Sequence, residues 1–225
     1  MKTIVLLHGL GAHGLTLRPM QNFLRKAFPH FNIVSVSSST FFNTFRSIVK
    51  DVVSEILYQT PPNHNIIIIG HSLGGIVARQ ISVLLGKRVE GIISIGSPHA
   101  GAILADRVIR ILPFVQHLSP ITKELTVESK TFYNIEENVP HFHILGNRKI
   151  NWLNPVSFLT YFLLRDQVNH DSVVQWPIDI DVCRIDGVKI VDEDHVSIIY
   201  SNDVYTAITY FITIIGEMYD TSCTA

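Results

Sequence analysis

Ser72 stands in the run IIIIGHSLGG at residues 66–75. A serine hydroxyl is a weak nucleophile until a neighbouring base takes its proton. In a G-x-S-x-G turn between a strand and a helix, the chain reverses so sharply that the serine is pushed up and exposed at the edge of a sheet. Small residues must flank it, and Gly70, Gly74 and Gly75 do so. The apolar IIII before it suits a strand, and IVARQISVLLG behind it suits a helix. Ser72 is therefore read as a nucleophile. The plain alternative is a tight glycine turn with a solvated serine.

A nucleophile of this kind needs an oxyanion hole, a base and an acid. The tetrahedral anion of acyl transfer requires fixed N–H donors. The backbone N–H of Leu73, directly after the serine, is one candidate. The loop HGLGAHG behind the first apolar run offers Leu10 as the other, with His8 and Gly9 shaping that loop. The chain has 11 histidines, so the base has to be selected. His71 adjoins the serine, but successive residues on a strand point in opposite directions. His99, in GSPHAG, is expected at the floor of the site or packed beneath it. His141 and His143 form an H-x-H pair whose spacing can hold a metal, yet no third ligand is clearly placed, so no metal is expected. His195, in VDEDHVSII, follows the last apolar run and precedes the last helix, where an imidazole can hang over the serine. It is the expected base.

The acid should lie between serine and histidine in chain order. Its task is to hold the imidazole in one tautomer and stabilise the imidazolium. Asp166, Asp171, Asp179 and Asp181 qualify by position. Asp171 sits in the short loop NHDSVV and is preferred. Asp166, next to Arg165, is the reserve, and Asp179 and Asp181 alternate as exposed strand positions do. Asp192 and Asp194 are too near His195.

The elements that must position these residues alternate. TIVLL at 3–7, NIVSVS at 32–37, HNIIIIG at 64–70, GIISIGS at 91–97 and HFHILGN at 141–147 read as strands. Between the first three lie helical patterns, TLRPMQNFLRKAF and the face Phe45, Ile48, Val49, Val52, Val53, Ile56 and Leu57. Repeated strand–helix–strand units imply an α/β fold with a parallel sheet covered on both faces. The final NDVYTAITYFITIIGEM is β-branched, but its apolar residues recur at helical spacing behind an Asn-Asp cap, so it is read as a helix. Two stretches break the alternation, residues 102–135 and 150–165. They are read either as lids and binding walls or as helices covering the core.

At 225 residues the chain fits a single domain, 1–225. It is 47% apolar and 16% charged, which excludes disorder. A formal net charge of −1, without a basic run, argues against nucleic acid and against electrostatic docking on an anionic membrane. Cys183 and Cys223 form no C-x-x-C pair and are expected as thiols in a reducing compartment. The opening apolar run IVLL is too short for a signal peptide, and no stretch is long enough to span a bilayer. A cytoplasmic location is the expectation, though export by a signal-independent route would leave no trace.

Five motifs in order, HGLG at 8–11, GHSLGG at 70–75, GSPHAG at 96–101, NHDSVV at 169–174 and DHVSII at 194–199, make the chain resemble the α/β-hydrolase superfamily, within it the lipase and esterase branch. GSPHAGA is similar to a stretch common in bacterial lipases and in serine esterases related to inositol deacylases. The resemblance implies ester hydrolysis through an acyl-enzyme, with Ser72, Asp171 and His195 as triad and no cofactor. Because the chain opens on the first central strand, a reduced sheet of about six strands is expected.

The substrate should be decided by the two excursions. Leu112 and Phe114 from the first, with Trp152 and Phe158 from the second, are expected to form an apolar acyl pocket, together with His8, His71 and His99 nearer the serine. Lipid-like or medium-chain acyl esters follow, with weak membrane-surface contact through the lid. An acyltransferase or thioesterase with the same triad would look alike in sequence. A binding module that keeps the fold without the chemistry is the other class, though it needs none of the three triad residues. Oligomeric state is not encoded in any motif.

Overall fold

The computed structural model describes residues 2–129, 131–132, 135–152, 154–167, 169–175 and 182–223. The side chains at 155, 156, 158, 159 and 220–223 lie outside that description. Six strands form one sheet: β1 (Lys2–Leu7), β2 (Asn32–Val36), β3 (Asn65–His71), β4 (Val89–Ile95), β5 (His141–Gly146) and β6 (Gly187–Val191). Their order is β2-β1-β3-β4-β5-β6, and every pairing is parallel. Parallel neighbours need crossovers, which put helices on both faces.

The helices are α1 (Arg18–Ala27), α2 (Phe45–Gln59), α3 (Leu73–Leu85), α4 (Ile103–Ile111), α5 (Val115–Leu118), α6 (Pro120–Glu124), α7 (Pro155–Leu164) and α8 (Asn202–Cys223). β3 shows why the sheet forms here. Ile66 and Ile68 pack on one face with Ile48, Val52 and Ile56 of α2 and Ile76 and Ile81 of α3. Ile67 and Ile69 face the other way, into a core with Met20 and Leu24 of α1 and Ile208, Phe211 and Ile215 of α8. Burying each such side chain stabilises by about 1.5–3 kcal/mol, so a run of four isoleucines fixes this strand at the centre. The C-terminal segment is helical because its apolar stripe covers that second face, which overrides its β-branched composition.

The first excursion divides between the two readings of it. Ile121 and Leu125, with Phe132 and Ile135 beyond them, are buried in the core. By contrast Ile111, Leu112, Phe114 and Leu118 are exposed. In the second excursion Ser157, Thr160 and Leu164 are buried, while Trp152 and Phe162 are exposed. The two excursions meet: α4 contacts α7, and Arg107 of α4 forms a two-pronged ion pair with Asp166 at 2.6 Å on each oxygen. Among the described residues, no helix is long and apolar enough to cross a membrane. Cys183 is buried, and the side chain of Cys223 is among those not described.

Candidate active site

Ligands of open parallel sheets bind beyond the C-terminal ends of the strands, where strand order reverses. Here β1 runs to β2 on one side and to β3 on the other, so the loops after β1 and β3 share that crevice. Ser72 is the single residue between β3 and α3, at φ 55° and ψ −124°. Left-handed backbone at a non-glycine residue is strained and persists only where the surroundings enforce it. Its N–H donates to the Ile95 carbonyl at 2.8 Å, tying the turn to the end of β4. The turn is tight enough that a Cβ at Gly70 would collide with the Gly74 carbonyl, and one at Gly74 with the Leu7 carbonyl.

His195 lies in the loop after β6, and its Nδ1 is 2.8 Å from Oδ2 of Asp171. Both residues are buried. The two loops are also joined through backbone, since the His195 N–H donates to the Asp171 carbonyl at 2.7 Å. The second carboxylate oxygen of Asp171 accepts from the N–H groups of Val173 and Val174 at 3.1 and 2.7 Å. With both oxygens engaged, the carboxylate can face the imidazole in only one way. Nδ1 is the donating nitrogen of His195, which leaves Nε2 as its lone-pair nitrogen.

His71, next to Ser72 in the chain, packs against this pair. Its ring centroid is 4.8 Å from that of His195, and its Nε2–H donates to the His195 carbonyl at 2.9 Å. Burial, followed by the neighbouring His195, pushes its pKa down to about 3, so His71 is neutral at any ordinary pH. His8 is buried, with Nδ1 donating to the Gly9 carbonyl at 2.9 Å and Nε2 accepting from Ser38 N–H at 3.2 Å. Those bonds set the loop after β1. Neither the Leu10 N–H nor the Leu73 N–H donates to another group among the described residues. Leu73 opens α3, whose first-turn N–H groups have no intrahelical partner.

The family model for PGAP1-like α/β domains matches residues 44–149. Among solved structures, the mature Bacillus licheniformis lipase BlEst2 superposes with a TM-score of 0.73 at 16% identity, over 95% of this chain and 91% of that one. The metagenomic carboxyl esterase MGS0156 gives 0.63 at 15%, over 88% and 65%. Polyneuridine aldehyde esterase gives 0.57 at 14%, over 95% and 99%. This is the α/β-hydrolase fold. No curated protein sequence matches the chain.

On the α/β-hydrolase fold the other expected site residues distribute unevenly. Asp166 is taken by Arg107, while Asp179 and Asp181 lie outside the described residues. His99 is buried against His141 and His143. Leu112, Phe114 and Trp152 are exposed, Trp152 to 78%. The side chain of Phe158 lies outside the description. The α4–α7 seam bounds a cavity of about 470 Å³ with Arg107, Ile111 and Phe162 in its wall.

Three supporting residues escaped the sequence reading. Gly96 lies directly after β4 at φ +54°, and a Cβ there would sit 2.8 Å from Asp171 Oδ2 and 3.2 Å from His195 Nδ1. Gly146 ends β5, and a Cβ there would come within 2.7 Å of the Asp171 Cβ. Both glycines stand immediately at strand ends, which was the available signal. Asp194 was set aside for its nearness to His195. It is fully buried and accepts from Asn151 and Asn154 at 2.7 and 2.9 Å and from the Val196 N–H at 3.0 Å. Burial raises its pKa, but hydrogen bonds, first that of the Ser197 hydroxyl at 2.6 Å and then those of Asn151, Val196 and Asn154, hold it down at about 2. It anchors the loop that presents His195.

Proposed function

We propose that the chain hydrolyses carboxylic esters through an acyl-enzyme on Ser72. The observation that carries this reading is the buried Asp171–His195 hydrogen bond at the sheet edge where the strained Ser72 turn emerges. Ser72 Oγ attacks the ester carbonyl as His195 Nε2 takes its proton. The resulting oxyanion is met by the N–H groups of Leu73 and Leu10. Collapse breaks the C–O bond, and the imidazolium gives its proton to the leaving alcohol. Water then attacks the acyl-enzyme with His195 as base, releasing the acid and restoring the serine. Asp171 stabilises the imidazolium without accepting its proton. His71 acts as a positioning residue, since it touches the base by ring and by hydrogen bond.

The acyl group is assigned to lipid-like or medium-chain esters. The exposed apolar residues of α4 and α5, together with Trp152 and Phe162, support this, as does the lipase and esterase character of the similar structures. The same surface supports weak contact with lipid. Across p-nitrophenyl esters of rising chain length, kcat/KM should climb from acetate to a maximum at medium acyl chains. A maximum at acetate or butyrate with nothing beyond would sink the lipid-like assignment and leave ester hydrolysis standing.

Gly96→Ala tests the floor of the site. Its methyl intrudes on both partners of the acid–base pair at a positive φ. We expect kcat/KM to fall about 100-fold, the cost of an ångström-scale misplacement. Backbone strain should lower stability by about 1–3 kcal/mol in a denaturant melt. Unchanged kinetics with lowered stability would separate Gly96 from the chemistry.

A further inference from the structure

Beneath the candidate site, three imidazoles from two segments converge. His141 and His143 stand on one face of β5, with ring centroids 4.0 Å apart. β5 pairs with β4 so that Ser94 lies beside His143, and the loop leaving β4 brings His99 onto both rings. Its centroid is 5.1 Å from that of His141 and 5.2 Å from that of His143, at 90° and 85°. One nitrogen from each ring falls within 4.8 Å of the others.

The hydrogen bonds already sort the tautomers. His141 Nδ1–H donates to Glu137 Oε1 at 3.0 Å, leaving the Nε2 lone pair, which accepts from the Ser94 hydroxyl at 2.7 Å. His143 Nε2–H donates to the Arg184 carbonyl at 2.9 Å, leaving the Nδ1 lone pair. His99 is 2% exposed, and neither of its nitrogens has a hydrogen-bond partner among the described residues. A buried imidazole with both nitrogens unbonded is destabilising and calls for a partner.

We propose that His99, His141 and His143 form a binding site for a divalent transition-metal ion of the zinc type. Neutral imidazoles suit zinc, cobalt, nickel and copper and do not suit calcium or magnesium. Glu137 and the Arg184 carbonyl hold the far nitrogens of two ligands, which is the usual outer shell of a metal-bound histidine. At Zn–N distances of about 2.0–2.1 Å, tetrahedral ligand atoms lie about 3.3 Å apart, so the rings must close by up to about 1.5 Å. His99 can turn without giving up a hydrogen bond, and Ser94 must release His141. The charged groups around the cluster are Glu137 and Asp186 against Arg79 and Arg184. Arg79 is bound by Glu137 Oε2 at 2.9 Å and by the carbonyls of Phe132, Ile135 and Val182, which take up its charge. A bound ion would pin the loop of residues 96–101 to β5, and with it the glycine on which the Asp171–His195 pair rests.

The site is independent of ester hydrolysis, and its test reads metal alone. The full chain, stripped with a chelator and dialysed, is titrated with Co(II), then with Zn(II). We expect one equivalent of Co(II) with the visible absorption of a four-coordinate site of three imidazole nitrogens and one water, its displacement by Zn(II), and a rise in melting temperature with either ion. His99→Asn should weaken binding by more than the roughly 10–100-fold that an outer-shell change costs, while the exposed His30→Asn leaves it unchanged. No saturable binding by the wild-type chain overturns the proposal. So does binding that His99→Asn leaves intact. The wild-type titration decides even if a cluster variant fails to fold.

Discussion

Ser72→Ala should abolish labelling by a fluorophosphonate probe and lower kcat/KM toward esters by about 10⁴–10⁶-fold, leaving only what binding and the oxyanion hole provide. The fold should survive, because alanine keeps the Cβ and loses only an oxygen at a half-buried position. A second substitution sharpens the test. Ser72 holds φ 55° and ψ −124°, a conformation costly for any residue with a Cβ and open to glycine. Ser72→Gly should therefore be as inactive as Ser72→Ala but more stable than it by about 1 kcal/mol, the relieved strain less glycine's extra chain entropy. Equal activity of wild type and Ser72→Ala, or no labelling of folded wild-type protein, would sink ester hydrolysis and favour a binding module.

Asp171→Asn should reduce kcat by about 10⁴-fold with little change in KM. The reason lies in which oxygen is committed where. Oδ1 accepts from Val173 and Val174 N–H, and these donors fix the amide so that its oxygen stays with them. The NH₂ group then faces His195 and donates to Nδ1. The imidazole proton is forced onto Nε2, and the nitrogen needed for the serine proton can no longer accept it. A near-normal melting temperature with collapsed kcat separates this tautomer effect from unfolding. Wild-type kcat in a folded Asp171→Asn chain would remove Asp171 from the mechanism. Asp166 could replace it only by leaving Arg107, to which both its oxygens are bound.

Much of the fold is legible in the sequence because apolar runs bounded by glycine are strong signals for doubly covered strands. Residues 66–69 show this best, where four isoleucines can only belong to a strand buried on both faces. The edge strand β6 is weaker in sequence, since Val188 and Ile190 are half exposed and Lys189 interrupts them. For the candidate site, chain order and motif bring Ser72, Asp171 and His195 to one region, yet nothing in local sequence says which neighbours support them. Gly96 matters because of a carboxylate 75 residues later, which no window along the chain contains. The convergence of His99 on His141 and His143 depends on the register of β4 against β5, a tertiary fact. The excursions divide between core and surface for the same reason. Ile121 and Ile111 look alike in sequence, and only packing tells them apart.

The all-parallel sheet has a consequence in time. β1, β2, β3 and β4, with the helices between them, lie within residues 2–95, whereas Asp171 and His195 come after β5 and β6 respectively. At about 5–20 residues per second, synthesis runs on for about 6–25 s between Ser72 and His195. On the proposed triad, the strands that hold the Ser72 turn are therefore made before its base, although α8, which covers the second face of the sheet, follows His195. On that reading, a nascent chain that ends before His195 would carry Ser72 with nothing to take its proton.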